Sequence, residues 1–192
     1  MEWFNSPTSF DIKYSEDPTA LRSFEQANVH TGPRTDFWRK SYYGFIRDNG
    51  NFLYDTISGD FEVSVAVVGK YNTLYDQGGL MVRENPENWI KAGIEYVDRV
   101  QNVSAVVTRD YSDWSVINLP REEAPEVVYF KLVMKQGSFE IFYSLNGTDF
   151  TMYRLGFLTS NSELQVGIMC ASPDSDEGFD VEFRDFKLKK LE

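Results

Sequence analysis

The sequence predicts an all-β protein, a large sandwich of two antiparallel sheets with a jelly-roll-like arrangement. Three stretches of the central chain, 79–84, 89–98 and 103–110, alternate in side-chain character with a period of two, as half-buried strands do. Turn signals with glycine separate about a dozen short runs of this kind, and no helical period of useful length occurs, unless 160–164 forms one turn. The 16% aromatic content falls within the alternating runs, which favours sheets packed face to face.

The first third of the chain contains the earliest strand candidates. Residues 10–14 and 21–29 precede a break at Gly32-Pro33. An aromatic-rich segment then reaches Asn49-Gly50, which predicts a hairpin turn because both residues tolerate positive φ. After a turn at 58–60, the run 61–68 places phenylalanine and valine on one face and a mixed set on the other, as a sandwich strand should.

The central stretch predicts a candidate binding face. Its first two runs are expected to form a hairpin joined by residues 85–88. In the second run, one face consists of Ile90, Ala92, Ile94 and Tyr96, and the other consists of Trp89, Lys91, Gly93 and Glu95. Arg83 would project from the second face together with Lys91 and Glu95, so this face is unlike ordinary solvent-exposed surface.

The C-terminal third predicts a meander and a bulged last strand. A proline-rich, charged surface loop covers 120–126, and strands over 127–135, 139–144 and 150–155 are joined by glycine turns. After a strand at 166–171, the final strand changes the parity of its apolar residues near Arg184-Asp185. A β-bulge there would restore one inward face.

Length and composition fit one domain over residues 1–192, and they disfavour several function classes. The net charge of −11 argues against nucleic acid and anionic membranes as partners. Cys170 is the only cysteine and His30 the only histidine, which disfavours a disulfide, a Cys/His zinc site and a Ser-His-Asp triad. No signal peptide or membrane-spanning run is apparent, so a cytoplasmic location is expected.

Several long motifs resemble a known family. They are TDFWRKSYYGFIRDNGNFLY, GDFEVSVAVVGKY, LYDQGGLMVRENPENWIKAGIEYVD, SAVVTRDYSDWSV, VGIMCASP and GFDVEF. The chain from Trp3 to Phe186 thereby resembles the regulation-of-enolase family, a family of unknown function named for a yeast member. The resemblance implies a concanavalin A-like lectin and glucanase sandwich. It also implies a role in sugar metabolism through enolase for one eukaryotic branch, and it provides no catalytic residues.

The resemblance directs attention to the concave sheet, across which ligands of such sandwiches lie. The predicted ligand-binding residues are Arg83, Lys91, Glu95, Asp76, Gln77, Trp38, Trp89 and Trp114. Lys91 and Glu95 lie four residues apart, about 13 Å along one strand, so each needs a partner elsewhere. Arg83 is the expected partner of Glu95 or of a ligand carboxylate.

Each of these residues also has a structural alternative. The charges could form a surface salt-bridge ladder, Asp76 and Gln77 could cap a turn, and Trp114 could belong to the core.

A catalytic role has weaker support. The Glu-x-Asp-x-x-Glu pattern of related glucanases is absent. Two pairs of acids, at 60/62 and 180/182, each share one strand face, but the opposite face of each strand is apolar, which is typical of solvent-exposed carboxylates. A pair assembled across strands, such as Glu95 with Asp76, remains an alternative. The acidic turn 174–178 could bind calcium or be a solvated turn, and its spacing does not match an EF-hand. We therefore expect no metal or cofactor.

The sequence is interpreted as a non-catalytic domain that binds a carbohydrate or sugar-derived ligand, or that regulates enolase or another metabolic enzyme by contact. Two alternatives stay open. One is a glycan-cleaving enzyme, and the other is a protein-interaction module that uses the aromatic group Phe37, Trp38, Tyr42 and Tyr43.

Overall fold

The computed structural model describes residues 1–122 and 124–192. The strands of these residues are, in chain order, β1 (Glu2–Phe4), β2 (Ser9–Tyr14), β3 (Arg22–His30), β4 (Phe37–Arg39), β5 (Ile46–Asp48), β6 (Asn51–Ser58), β7 (Phe61–Gly69), β8 (Gln77–Asn85), β9 (Asn88–Val97), β10 (Val100–Arg109), β11 (Tyr111–Asn118), β12 (Val128–Lys135), β13 (Ser138–Ser144), β14 (Thr151–Phe157), β15 (Glu163–Ala171) and β16 (Asp180–Lys190). The described residues thus contain more strands than the dozen predicted, because β1, β4 and β5 are too short to show an alternation.

These strands form two large antiparallel sheets, which confirms the all-β sandwich. The front sheet has the order β1-β6-β15-β8-β9-β10-β11, and the back sheet has the order β14-β13-β12-β7-β16-β3-β2. A third sheet consists only of β4 and β5. No helix in the described part of the chain is long and apolar enough to cross a membrane.

The main core lies between the front and back sheets. Alternate residues of β8, β9 and β10 face inward from the front sheet, among them Leu80, Ile90 and Ile94. The back sheet contributes aromatic rings, including Phe24 and Phe186, whose centroids stack 4.8 Å apart. Each such buried side chain contributes roughly 1.5–3 kcal/mol to the free energy of unfolding.

A second, smaller core covers part of the outer face of the front sheet. The segment with β4 and β5 lies over this face and buries apolar side chains beneath it. The buried members are Phe37, Phe52, Met81, Trp89, Val106 and Met169. The face that bears the predicted polar residues is therefore partly enclosed within the protein.

The β8–β9 hairpin has the predicted connection and the predicted faces. Asn85 Oδ1 accepts hydrogen bonds from the backbone N–H groups of Glu87 at 2.8 Å and Asn88 at 2.9 Å, and these bonds fix the turn. On the outer face, Gly79 lies opposite Gly93. The strands approach so closely there that a Cβ on Gly93 would lie 2.1 Å from the Gly78 carbonyl oxygen.

The β-bulge predicted in the last strand is confirmed. The pairing of β16 with β7 shifts register between Arg184 and Lys187, and Asp185 has φ 53°. The extra residue turns Phe186 and Leu188 inward, where both are fully buried.

The turn predictions have mixed outcomes. The Gln136-Gly137 and Asn146-Gly147 hairpins are confirmed as β12–β13 and β13–β14. The Asn49-Gly50 hairpin is wrong, because β5 pairs with β4 while β6 belongs to the front sheet. The backbone N–H groups of Asn49 and Gly50 instead donate to the Asp36 carbonyl oxygen, at 3.0 and 2.9 Å.

Two further expectations concern loops. The single helical turn allowed at 160–164 is absent, because this segment is irregular until β15 begins at Glu163. The surface-loop interpretation of 120–126 includes Glu123, which lies outside the described residues.

Candidate functional site

A cavity of about 200 Å³ opens on the outer face of the front sheet, beside the β4–β5 sheet. Aromatic side chains form much of its wall, namely Trp38, Tyr43, Phe45, Tyr75 and Trp114. Polar side chains from β8, β9 and the segment before β4 form its floor, namely Gln77, Lys91, Glu95 and Asp36. Arg47, Pro173 and Asp174 complete the lining.

The aromatic wall is built by the loop between β4 and β5. Trp38 Nε1 donates to the Ser41 carbonyl oxygen at 3.0 Å, which holds the loop against the strand. The Tyr43 ring lies edge-on to Trp38 at 5.7 Å and stacks on Phe45 at 5.6 Å. The Tyr43 and Tyr75 hydroxyls are hydrogen-bonded at 3.0 Å, and this bond raises the pKa of Tyr75.

Lys91 organises the floor of the cavity. Its Nζ donates to Gln77 Oε1 at 2.7 Å and to the Phe37 carbonyl oxygen at 2.8 Å, and it lies 3.5 Å from Asp36 Oδ1. The residue is only 5% exposed. Two hydrogen bonds and one ion pair therefore hold the buried ammonium group, so Lys91 belongs to a buried polar network and not to a surface ladder.

Glu95 lies next to this network and is only 7% exposed. Its Oε2 accepts from Ser104 Oγ at 2.8 Å, and Ser104 Oγ in turn accepts from Trp114 Nε1 at 2.9 Å. Burial raises the pKa of Glu95, while Lys91 and the Ser104 hydroxyl partly offset that effect. No hydrogen bond from a residue that the structure describes reaches Glu95 Oε1.

Asp36 is the second buried carboxylate of the cavity, and the sequence interpretation missed it. Its Oδ1 accepts from the Phe37 N–H at 2.8 Å and lies 3.5 Å from both Gln77 Nε2 and Lys91 Nζ. Within residues 1–122 and 124–192, no group donates to Asp36 Oδ2. The only sequence signal was an acid directly before the aromatic pair Phe37-Trp38.

Arg83 does not pair with Glu95, contrary to the prediction. Its Nη2 donates to Asp48 Oδ2 at 2.8 Å, and its guanidinium lies 4.2 Å from the centroid of the Phe4 ring. The register of β8 and β9 places Arg83 opposite Trp89, whereas Glu95 lies opposite Gln77. Arg83 therefore shares the predicted face but is buried away from the cavity.

Asp76 and Trp89 also lie outside the cavity lining. Asp76 is fully buried, and its Oδ2 accepts from the backbone N–H groups of Asn72 at 2.9 Å and Thr73 at 2.8 Å, as a turn cap does. The pair of Asp76 with Glu95 therefore does not face a common cavity. The Trp89 ring is buried in the second core, and its Nε1 donates to the Pro86 carbonyl oxygen at 3.2 Å.

The predicted aromatic patch divides into buried and accessible members. Phe37 is fully buried in the second core, so it cannot belong to a partner surface. Trp38 is half-buried in the cavity wall, and Tyr42 and Tyr43 are exposed on the β4–β5 loop. Trp114 is also half-buried, and it both lines the cavity and packs against the second core.

The comparisons with known proteins agree on one family. Residues 3–191 match a family model described as "Protein of unknown function (DUF1349)". The chain belongs to this family. It is 31% identical over 186 residues to "Regulation of enolase protein 1" of Saccharomyces cerevisiae, covering 97% of this chain and 87% of that protein.

Solved structures place the DUF1349 fold among concanavalin A-like sandwiches. A crystal structure of a functionally unknown protein from Saccharomyces cerevisiae superposes with a TM-score of 0.85 and 31% identity, over 100% of this chain and 97% of that one. A xylan β-1,4-xylosidase from Bacillus halodurans gives a TM-score of 0.64 at 13% identity, over 91% and 35% of the two chains. A carbohydrate-binding module, CBM66 of Bacillus subtilis, gives a TM-score of 0.50 at 11% identity, over 96% of this chain and 97% of that one. At these identities the last two show the fold alone.

The remaining titratable candidates of this DUF1349 protein have structural partners. His30 Nδ1 lies 2.7 Å from Asp180 Oδ1, and its Nε2 lies 2.9 Å from the Glu177 carbonyl oxygen. In the acidic turn, Ser175 Oγ accepts from the Glu177 and Gly178 N–H groups at 3.1 and 3.0 Å. No group of three or more histidine, cysteine or acidic side chains suited to a metal ion occurs among the described residues.

Proposed function

We propose that the cavity binds one sugar residue or a polyol of similar size, without cleaving it. The observation that carries this proposal is the pair of carboxylate oxygens, Asp36 Oδ2 and Glu95 Oε1, that have no donor among the described residues in an aromatic-walled cavity. A ligand with several hydroxyl groups can donate to both oxygens, and such charge-assisted hydrogen bonds are strong.

The walls suit the same ligand. A sugar ring has faces of C–H groups and an edge of hydroxyls, so it can lie against Trp38, Tyr43 or Trp114 while its edge reaches the polar floor. The volume of about 200 Å³ is below the roughly 300–1,000 Å³ of pockets for drug-sized molecules, which favours a single ring. The carbohydrate-binding module with the same fold supports this interpretation.

The arrangement of the acids favours binding over cleavage. Glycoside hydrolysis needs two carboxyl groups that flank the scissile bond. Asp36 and Glu95 both lie beside Gln77 on the floor of the cavity, the first within 3.5 Å of its Nε2 and the second as its register partner. The third acid of the lining, Asp174, is exposed. Asp36 is also held by Lys91, which reduces its freedom to act as a nucleophile.

Calorimetric titration with a panel of monosaccharides and sugar phosphates tests the proposal, using the wild type, Glu95→Gln and Trp114→Ala. We expect binding that both substitutions weaken at least tenfold, because each removes a direct contact, about 1.4 kcal/mol or more. Glu163→Gln, at an exposed position of β15, is the matched control and should bind normally. Absence of binding to the whole panel, or binding that neither substitution changes, would reject the cavity as a sugar site. Release of reducing sugar from oligosaccharides would instead support the glycan-cleaving alternative.

Contact with enolase is the second candidate function. It is supported by the 31% identity to a protein named for the regulation of enolase. Size-exclusion chromatography of the purified chain with enolase, with and without the sugar that binds best, tests it. Co-elution that survives Glu95→Gln would favour a protein contact that is independent of the cavity.

A further inference from the structure

The loop 40–45 between β4 and β5 has an unusual backbone for its sequence. Lys40, Tyr42 and Gly44 all have positive φ, at 58°, 61° and 74°. For a bulky side chain such as that of Tyr42, this conformation is unfavourable, and glycine or asparagine would suit it better. The loop is nevertheless well defined, since the Lys40 N–H donates to the Phe45 carbonyl oxygen at 2.7 Å and the Gly44 N–H to the Lys40 carbonyl oxygen at 2.8 Å.

This backbone presents the Tyr42 ring almost entirely to solvent. The residue is 97% exposed, so burial of its ring adds nothing to the stability of the fold. The ring lies edge-on to Tyr43, with the two centroids 5.0 Å apart. Because Tyr43 itself lines the cavity and Tyr42 does not, a continuous aromatic row extends from the cavity wall to the outer surface.

The dimensions of the cavity limit how much of a longer ligand it can hold. A single sugar ring would fill a volume of about 200 Å³, so any further residue of the same ligand must lie outside the rim. Beyond Tyr43, the neighbouring exposed ring is that of Tyr42. Tyrosine offers a large contact area with few rotatable bonds, which makes it suited to such a platform.

We infer that the ligand is the end of an oligosaccharide, with its terminal residue in the cavity and its second residue stacked on Tyr42. This inference rests on the proposed function of the cavity and adds the ligand's chain length to it. Tyr42 then determines the preference for chains over free monosaccharides, whereas Asp36 and Glu95 bind the terminal residue.

Titration with matched ligand series tests the inference. The probes are xylose, xylobiose and xylotriose, and glucose with maltose and cellobiose. For the series that binds, we expect the disaccharide to bind roughly three- to tenfold more tightly than the monosaccharide. In the xylose series, xylotriose should add little to the affinity of xylobiose. Tyr42→Ala should reduce the disaccharide affinity to that of the monosaccharide and leave the monosaccharide affinity unchanged. The control Tyr14→Ala, at a 58% exposed position of the back sheet, should change neither affinity.

The outcomes separate this inference from the proposed function. Equal affinities for monosaccharide and disaccharide in the wild type, or equal losses for both in Tyr42→Ala, would overturn the second subsite while leaving the cavity as a monosaccharide site. If no sugar of either series binds, both proposals fail. If Tyr42→Ala leaves every sugar affinity intact but abolishes co-elution with enolase, the aromatic row is a protein contact and the inference is wrong.

Discussion

Replacement of Lys91 by methionine should be strongly destabilising, although methionine nearly matches the length of the lysine side chain. The substitution removes the donor to Gln77 Oε1 at 2.7 Å and to the Phe37 carbonyl oxygen at 2.8 Å. It also leaves the Asp36 carboxylate, whose side chain is 11% exposed, without the cation 3.5 Å away. Breaking a buried ion pair from one side costs about 3–5 kcal/mol, because the remaining charge is uncompensated. For a chain of this size that loss corresponds to a decrease in Tm of roughly 6–20 °C.

Urea denaturation followed by tryptophan fluorescence measures the free energy of unfolding of Lys91→Met. Lys135→Met, at the exposed end of β12, is the control and should change the free energy by no more than about 0.5 kcal/mol. The double variant Lys91→Met/Asp36→Asn should recover part of the loss, because it no longer contains an unpaired buried charge. The reasoning is refuted if Lys91→Met costs less than about 1 kcal/mol, or if the losses of the two single variants simply add.

Three further predictions follow from other parts of the molecule. Because both His30 ring nitrogens lie within 2.9 Å of acceptors, the folded state favours the imidazolium and the pKa of His30 is raised. The contribution of His30 to the free energy of unfolding should therefore be fully present below pH about 6.5, and it should be lost as the pH rises through the folded pKa. Urea midpoints of the wild type and of His30→Asn at pH 5.5 and 9 would check this. Asp185→Val should lower the free energy of unfolding by about 1–2 kcal/mol, because the φ of 53° at this position is unfavourable for valine. Asp185→Gly should lower it less, because glycine tolerates positive φ. Equal losses for the two variants in urea unfolding would contradict the bulge. The pKa of the Cys170 thiol is raised by complete burial, so it should react with a thiol reagent at pH 8 only as fast as the chain unfolds, and rapid labelling of the native protein would contradict its placement.

The alternation in the central stretch was sufficient to predict which side chains share a face. Ile90 and Ile94 lie in the main core, while Lys91 and Glu95 lie on the opposite face. This prediction succeeds because successive side chains of a strand point to opposite faces of the sheet. About ten residues of sequence therefore contain all the information that it needs. The bulge at Asp185 was predictable for the same reason, since the change of parity is contained within one strand.

The partners of those side chains could not be predicted, because they come from a distant segment. Lys91 contacts Asp36 and the Phe37 carbonyl oxygen, more than fifty residues earlier in the chain, and Arg83 contacts Asp48. No periodicity in the sequence indicates that β4 and β5 cross the outer face of the front sheet. The error at Asn49-Gly50 has the same origin, because the turn connects two different sheets and its hydrogen bonds go to Asp36.

The site depends on this crossing segment more than on the strand that bears Lys91 and Glu95. A lysine on a sheet face open to water would keep its charge solvated, and it would not order the groups around it. Once the segment from Asp36 to Asp48 covers the face, the same lysine must satisfy buried acceptors, and it thereby fixes Gln77 and β4 in place. The segment also provides Asp36 and the aromatic wall. The front sheet therefore supplies a rigid floor, and the covering segment converts that floor into a cavity lined by the Asp36 and Glu95 carboxylates.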